Sequence, residues 1–307
     1  MMLTKPTPEE CVSIREELRE PENQEEVESD IKLIREWLDS QPHLPKDMDD
    51  VRLTNFLRGY KFILEKVKKK LDMYYSMRTA IPEFFSERDI AREELNLVLE
   101  YAYCPVITLT SNGRRINFIC GVDCDFQASQ FNDAMKVTMM LGDVRLAEEC
   151  VGIASDIFVL DAAIATTSHF AKFSPNVIKK FFICVQEAYP VKVKEVRFFN
   201  TSPLVDTIFK FIKPFVKEKL LSRVHFHPDL ESLYKSVPKD ILPEEYGGMA
   251  GKINDFISQW NAKLTDYTPW FKEQESKKSN ESLRLGSPKT SDNLFDMEGT
   301  FRQLNIN

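Results

Sequence analysis

The 307-residue chain is poor in the features that mark several protein classes. Only 10 glycines and 16 prolines are present, which excludes collagen-like and linker-dominated architectures. Six cysteines (Cys11, Cys104, Cys120, Cys124, Cys150, Cys184) are scattered rather than set out as a disulfide framework, a usage that predicts reduced thiols. No run reaches the ~18 uncharged apolar residues of a membrane span. The most apolar region, Val151–Phe170, is interrupted by Asp156 and Asp161. The opening segment MMLTKPTPEECVSIREELRE has no secretory apolar core, which predicts a cytoplasmic protein.

The loops and motifs of common enzyme chemistry are missing as well. There is no Gly-x-Gly-x-x-Gly and no Gly-x4-Gly-Lys-Ser/Thr to cradle a phosphate. There is no Gly-x-Ser-x-Gly elbow and no His-Glu-x-x-His. Cys120 and Cys124 are followed by no second Cys/His pair, and His225 and His227, on one strand face, gain no third ligand. Asp161 reads as the polar residue at which a buried strand emerges, not as an acid/base partner of Asp156. The expectation is a protein without catalytic turnover, cofactor or metal.

What is present is enough apolar material for a packed core, with 43% hydrophobic and 29% charged residues, and an uneven charge. Residues 1–100 carry 16 Lys/Arg against 23 Asp/Glu, within a chain of net charge −7. The segment Lys172–Arg223 reverses this, with eleven basic and four acidic residues. A positive segment in an acidic protein, with no finger or RNP-type pattern beside it, suits a membrane headgroup better than nucleic acid.

Hydrophobic spacing divides the chain. Ile31, Ile34, Trp37 and Leu38 recur at helical spacing, as do Val51, Leu53, Phe56, Leu57 and Tyr60, and then Val67, Leu71, Tyr74 and Tyr75. These predict a helical lobe over residues 1–95, with the lysine run at 66, 68, 69 and 70 on its solvated face. Over residues 96–251, β-type runs (Val106–Thr110, Arg115–Val122, Ile153–Leu160, Val193–Asn200, Val224–His227) alternate with helical ones at Asp125–Cys150, after Pro175 and at Val205–Leu221. That alternation predicts an α/β fold with a mostly parallel sheet covered by helices. Residues 252–307 read as one helix near Ile253–Leu264 and a flexible tail from Lys272, regaining apolar residues at Phe295–Leu304. Ser202 and Pro203 open the helix that carries Val205, Ile208, Phe209 and Ile212 on one side, with Pro214 set to kink it.

The motifs in order resemble the CRAL-TRIO lipid-transfer family, closest to its branch of α-tocopherol transfer proteins and cellular retinaldehyde-binding proteins. They are DVRLTNFLRGYKF from Asp50, FSPNVIKK from Phe173, AYPVKVKEVRFFN from Ala188, FIKPFVKEKLLSRVHFH from Phe211 and LPEEYGG from Leu242. The tail GTFRQL from Gly299 is similar to a signature of that branch. The resemblance implies an apolar cavity between the sheet and a mobile gate helix, holding a tocopherol, retinoid, carotenoid or similar lipid. With the helix spacings it nominates Phe131, Met135, Thr138, Ile157, Phe158, Val205, Ile208, Phe209 and Ile212 as pocket residues. It also brings Lys192 and Lys194, two apart on an extended segment, beside Lys219 and Arg223, four apart on a helix. Together they form an expected site for a phosphatidylinositol bisphosphate headgroup, making the protein reversibly membrane-associated.

Two positions depart from the family pattern: Ala162-Ala163-Ile164 follows Asp161 where Asp-x-x-Gly is common, and Tyr60 stands where a basic residue is expected, with Arg58 or Lys61 as substitutes. Alternatives to the carrier are a phosphatidylinositol or phosphatidylcholine exchanger, or a membrane adaptor with a vestigial pocket. The thioether-rich helix Met135–Gly142, with Thr138 its hydroxyl, suits an apolar ligand better than a buried headgroup.

Overall fold

A computed structural model describes residues 5–101, 106–120 and 130–295. Cys104, Cys124, the sequence-predicted helix start at Asp125 and the tail signature from Gly299 lie outside the described residues.

The amino-terminal lobe is helical because its segments carry strong start signals and apolar stripes. Helix α1 (Pro8–Leu18) opens on a capping box: Thr7 Oγ1 accepts from the Glu10 N–H at 3.2 Å, and the Glu10 carboxylate accepts from the Thr7 N–H at 2.8 Å. Helix α2 (Gln24–Asp39) buries Val27, Ile34 and Leu38 along one stripe. Asp49 caps α3 (Asp50–Gly59) by accepting from the Arg52 N–H at 2.8 Å. Helices α4 (Leu64–Ala80) and α5 (Pro82–Phe85) complete a core of Ile34, Leu38, Leu53, Phe56, Leu57, Val67 and Leu71, each fully buried.

Helix α6 (Glu93–Tyr101) leads into strands β1 (Val106–Leu109) and β2 (Arg114–Ile119). Then follow α7 (Gln130–Glu148), β3 (Ser155–Asp161), α8 (Thr167–Ala171), α9 (Pro175–Ala188), β4 (Val193–Phe199), α10 (Pro203–Ile212), α11 (Glu218–Leu221) and β5 (Val224–Phe226). Helices α12 (Leu230–Tyr234), α13 (Ile253–Asp266), α14 (Thr268–Gln274) and α15 (Ser291–Phe295) close the described chain. The strands lie in the order β1-β2-β3-β4-β5; β1 is antiparallel to β2 and the remaining pairs are parallel. Right-handed crossovers that step one way across a sheet must all pass over the same face. Helices α7 to α11 therefore cover one face, and the other packs against α6 and α13.

The lobes share a buried ionic joint. Asp143 of α7, fully buried, accepts from Arg78 at 2.5 Å, Arg88 at 2.7 Å, Tyr74 at 3.2 Å and Tyr189 at 2.8 Å. Burial alone would raise this carboxyl; the two guanidinium groups overcome it and hold it below the usual carboxylate range.

Three expectations are corrected. Residues 273–295, part of the tail expected to be flexible, are folded against the helical lobe. The Ser279 N–H donates to Tyr75 O at 3.2 Å, the Asn280 N–H to His43 O at 2.9 Å, and Arg284 and Lys289 pair with Asp72 at 2.8 and 2.6 Å. Backbone hydrogen bonds and charge hold it, so an apolar-content reading does not register it. The helix expected over Val205–Leu221 is broken: α10 stops at Ile212, a 3-10 turn covers Lys213–Phe215, and Val216 is extended. Pro214 ends the helix instead of kinking it. Finally, Ile157 points away from α10. It pairs in register with Ile116 and Glu195, whereas its neighbour Phe158 pairs with Asn117 and Val196 on the face towards α10.

Candidate functional site

The sheet's two faces are finished differently. On the α6–α13 face, Ile116, Phe118, Val159 and Phe199 are at most 1% exposed and pack with Leu95, Val98, Phe256, Trp260 and Leu264. Asp161 ends that face, accepting from the Tyr246 hydroxyl at 2.7 Å and the Asn200 amide at 2.9 Å, and it also accepts from the Ala163 N–H at 3.0 Å. This is a structural end-cap, as the sequence indicates, and Ala162-Ala163-Ile164 forms the 3-10 turn it initiates.

On the opposite face Phe158, Leu160, Val196 and Phe198 remain half-buried although all are apolar. Helix α10 lies over them. Its inner stripe consists of Val205, buried, and Ile208, Phe209 and Ile212, half-buried. Phe209 meets Phe226 edge to face at 5.1 Å, and Phe226 stacks on Phe198 at 5.5 Å. A second aromatic series joins α10 to the start of α7: Phe211 to Phe170 at 5.6 Å, Phe170 to Phe173 at 5.9 Å and Phe173 to Phe131 at 4.6 Å. Helix α10 is thus seated by aromatic edges over a layer that it does not fully seal.

Of the sequence-nominated pocket residues, Phe158, Val205, Ile208, Phe209 and Ile212 share this layer, and Phe131 reaches it through Phe173. Thr138 is half-buried on α7, its hydroxyl donating to Ala134 O at 2.8 Å, so its proton is committed to its own helix. Met135 packs against the core of the helical lobe and α9, and Ile157 belongs to the other face. Phe170, Phe173, Phe198, Phe211 and Phe226 were not singled out by spacing. Phe170 and Phe173 lie in or beside a five-residue helix too short to show a period, and Phe211 extends the α10 stripe sideways.

The basic residues gather at the other end of β4. Arg223, beyond the end of α11, donates from its guanidinium to the Val193 carbonyl, between Lys192 and Lys194. Lys192 Nζ is buried and unpartnered, beside a small cavity lined by Leu18, Arg58 and Ser155 among others. Burial, with Lys61 and Lys219 adding repulsion against the pull of Glu17, pushes its ammonium down to about 8. Lys194 and Lys219 are exposed. Tyr60 does not replace the missing base: its hydroxyl donates to Tyr189 O at 2.9 Å. Arg58 is committed to Glu20, at 2.8 and 3.0 Å, and to Cys150 O at 2.7 Å. Lys61, in a left-handed turn after α3 at φ 55°, bears on Lys192 more strongly than Lys219 does.

Among the described residues no group of three or more His, Cys, Asp or Glu is placed to hold a metal ion. His227 is buried and bonded to Arg197 at 3.2 Å and Ser232 at 3.2 Å. Among the same residues no helix is long and apolar enough to cross a membrane.

Comparison with known proteins adds an independent finding. Residues 99–248 match the CRAL/TRIO domain model, and residues 23–95 match the model described as Pinta-like, UBA domain. The alpha-tocopherol transfer protein-like protein of Mus musculus is 29% identical over 242 residues, 76% of this chain and 68% of that one. Clavesin-2 of Mus musculus is 22% identical over 264 residues, 85% of this chain and 80% of that one. Among solved structures, the crystal structure of Sfh5 aligns at a TM-score of 0.42 and 15% identity, covering 80% of this chain and 88% of that one.

Proposed function

This chain is a CRAL-TRIO protein, with its CRAL/TRIO domain at residues 99–248, and on that premise we propose that it is a non-enzymatic carrier of one lipophilic small molecule. The ligand class is a tocopherol, retinoid, carotenoid or similar lipid, held between α10 and the sheet face of Phe158 and Phe198. The observation that carries this reading is the half-covered apolar layer under α10, beside an opposite face in which the equivalent residues are sealed. An apolar ligand completes that layer. Covering ~300 Å² at ~25 cal/mol/Å² contributes roughly 7 kcal/mol before the cost of association. A phospholipid headgroup would need satisfied polar partners, and the Thr138 hydroxyl is already engaged by its own helix.

Delivery takes place, in this reading, at membranes containing phosphatidylinositol bisphosphate, in the cytoplasm. Lys192, Lys194, Lys219 and Arg223, joined by Lys61, supply the several cations such a headgroup needs. A headgroup that prefers the open gate would shift the population towards release.

Replacing Phe209 by Asp tests the carrier directly. The expected outcome is loss of radiolabelled α-tocopherol retention on gel filtration with the fold intact, because a charge would be buried unpaired. Unchanged retention removes α10 from the site. For the membrane step, Lys192→Ala with Arg223→Ala is expected to weaken binding to bisphosphate vesicles sharply, with little change in ligand affinity. Wild-type binding by the double variant at physiological salt refutes the headgroup site.

A further inference from the structure

Helix α10 has a foot, and one side chain of α9 holds it. Beyond the 3-10 turn at Lys213–Phe215, Val216 is extended at φ −109° and ψ 130°. The helix and turn leave the backbone groups on either side of Val216 without helical partners. Gln186 takes both. Its Nε2 donates to the Phe215 carbonyl at 3.0 Å, and its Oε1 accepts from the Lys217 N–H at 2.9 Å. Nε2 also donates to Phe182 O at 3.0 Å, one turn back on α9, which fixes the orientation of the amide. A primary amide offers a neutral donor and acceptor side by side; an ionised carboxylate accepts only and an alkyl group does neither.

The adjacent residue extends the contact to the helical lobe. Glu187, 8% exposed, pairs with Lys217 and accepts from Lys70 of α4 at 2.8 Å. Lys70 also donates to the Gln186 carbonyl at 2.8 Å, so one cation joins both residues at the end of α9. Burial alone would raise the Glu187 carboxyl, and Lys70 and Lys217 together hold it down in its charged form.

We propose that Gln186 is the positioning residue of the gate: its amide staples the foot of α10 to α9, Glu187 and Lys70 tie that point to the helical lobe, and the gate opens when the hydrogen bonds from Gln186 to Phe215 and Lys217 break. The purpose of this clamp rests on the carrier reading above; its geometry does not. Removing it lowers the free energy of opening without touching the apolar layer, so ligand exchange quickens while the closed state keeps its contacts.

Hydrogen exchange of the full chain, read by mass spectrometry over residues 205–217, tests the clamp without any ligand. Gln186→Leu is expected to speed exchange there about tenfold, as loss of one to two neutral hydrogen bonds implies, with β3 and β4 unchanged and Tm near wild type. Gln186→Glu keeps the acceptor for the Lys217 N–H and loses the donor to Phe215, so it falls between. Read against Lys217→Ala, which loses the ion pair with Glu187 of α9 but keeps the N–H, Lys217→Pro removes that N–H as well, at a φ of −61° that proline adopts after an extended residue. It is expected to loosen the gate as the leucine variant does.

Wild-type exchange in the leucine variant overturns the proposal. So does loosening by leucine but not by proline, since that assigns the effect to packing of α9. Release of preloaded α-tocopherol to phosphatidylcholine vesicles, followed in the same variants, tests the carrier separately. If residues 205–217 exchange faster in both variants while even the wild type holds no tocopherol, the clamp stands and the tocopherol reading falls.

Discussion

Phe198 and Phe199 are neighbours in β4 and point to opposite sides of the same sheet. Phe199 is fully buried between Phe118 and Tyr246, with ring centroids at 5.9 and 5.4 Å. Phe198 is half-buried and stacked on Phe226, which is itself 39% exposed. Two identical side chains, one residue apart, thus serve different ends. One face is finished by the protein's own residues and sustains the fold. The other is left partly covered under a helix seated by a few aromatic edges, and in the proposed function that shortfall in packing is where a ligand would gain its binding energy.

The largest expected effect lies outside both faces, at the ionic joint between the lobes. Asp143→Ala leaves Arg78 and Arg88 buried without their counter-charge, and is expected to cost about 3–5 kcal/mol in denaturant unfolding. A loss below ~1 kcal/mol would mean that the joint contributes little. The two phenylalanines sharpen the comparison itself. Phe199→Ala is expected to lower stability by about 3–5 kcal/mol, and Phe198→Ala by only ~1 kcal/mol while α-tocopherol retention falls. Equal stability losses from the pair would show that the faces are packed alike.

A smaller effect is expected at the tail. Burial alone would raise the Asp72 carboxyl, but Arg284 and Lys289 hold it down at about 2. Asp72→Asn is expected to weaken docking of residues 279–289 by ~1–2 kcal/mol, read as faster hydrogen exchange there with the sheet unaffected. Exchange unchanged from wild type would place the hold elsewhere, in the backbone bonds to Tyr75 and His43.

The smallest effect is one of pH. Lys192 loses its charge near 8 rather than 10.5, so vesicle binding is expected to fall a few-fold as pH rises through 8. The stability sign is opposite. The folded chain releases this proton more readily than the unfolded one, so this group's contribution to stability increases as pH climbs from about 8 towards 10.5. Lys192→Arg should flatten the binding profile; a wild-type profile flat to pH 9 would show that Lys192 carries none of it.

Much of this arrangement is legible in the sequence, and the part that is not has physical causes. Strands were readable from β-branched runs and the start of α10 from Ser202-Pro203, although the Ser202 side chain makes no capping bond. The face of Ile157 was not readable, because a central parallel strand is apolar on both sides and loses the alternation that distinguishes them. The aromatic seats at Phe170 and Phe173 leave no mark in the sequence pattern because they meet α10 through tertiary contacts alone. Gln186 leaves none either, because a half-buried glutamine on a helix carries no periodic signal; only the backbone groups it faces give it a role. The basic end was half legible: the residues were evident, but the burial of Lys192 and the commitment of Arg58 to Glu20 depend on how α1 and α3 pack.

The central claim is that the half-covered face holds a lipid, and native mass spectrometry of the purified protein tests it most directly. The expected spectrum shows one apolar lipid per chain, absent from Phe209→Asp and retained in Lys192→Ala. A spectrum of the bare polypeptide in every preparation, including after incubation with tocopherol, retinoid and carotenoid, would contradict it.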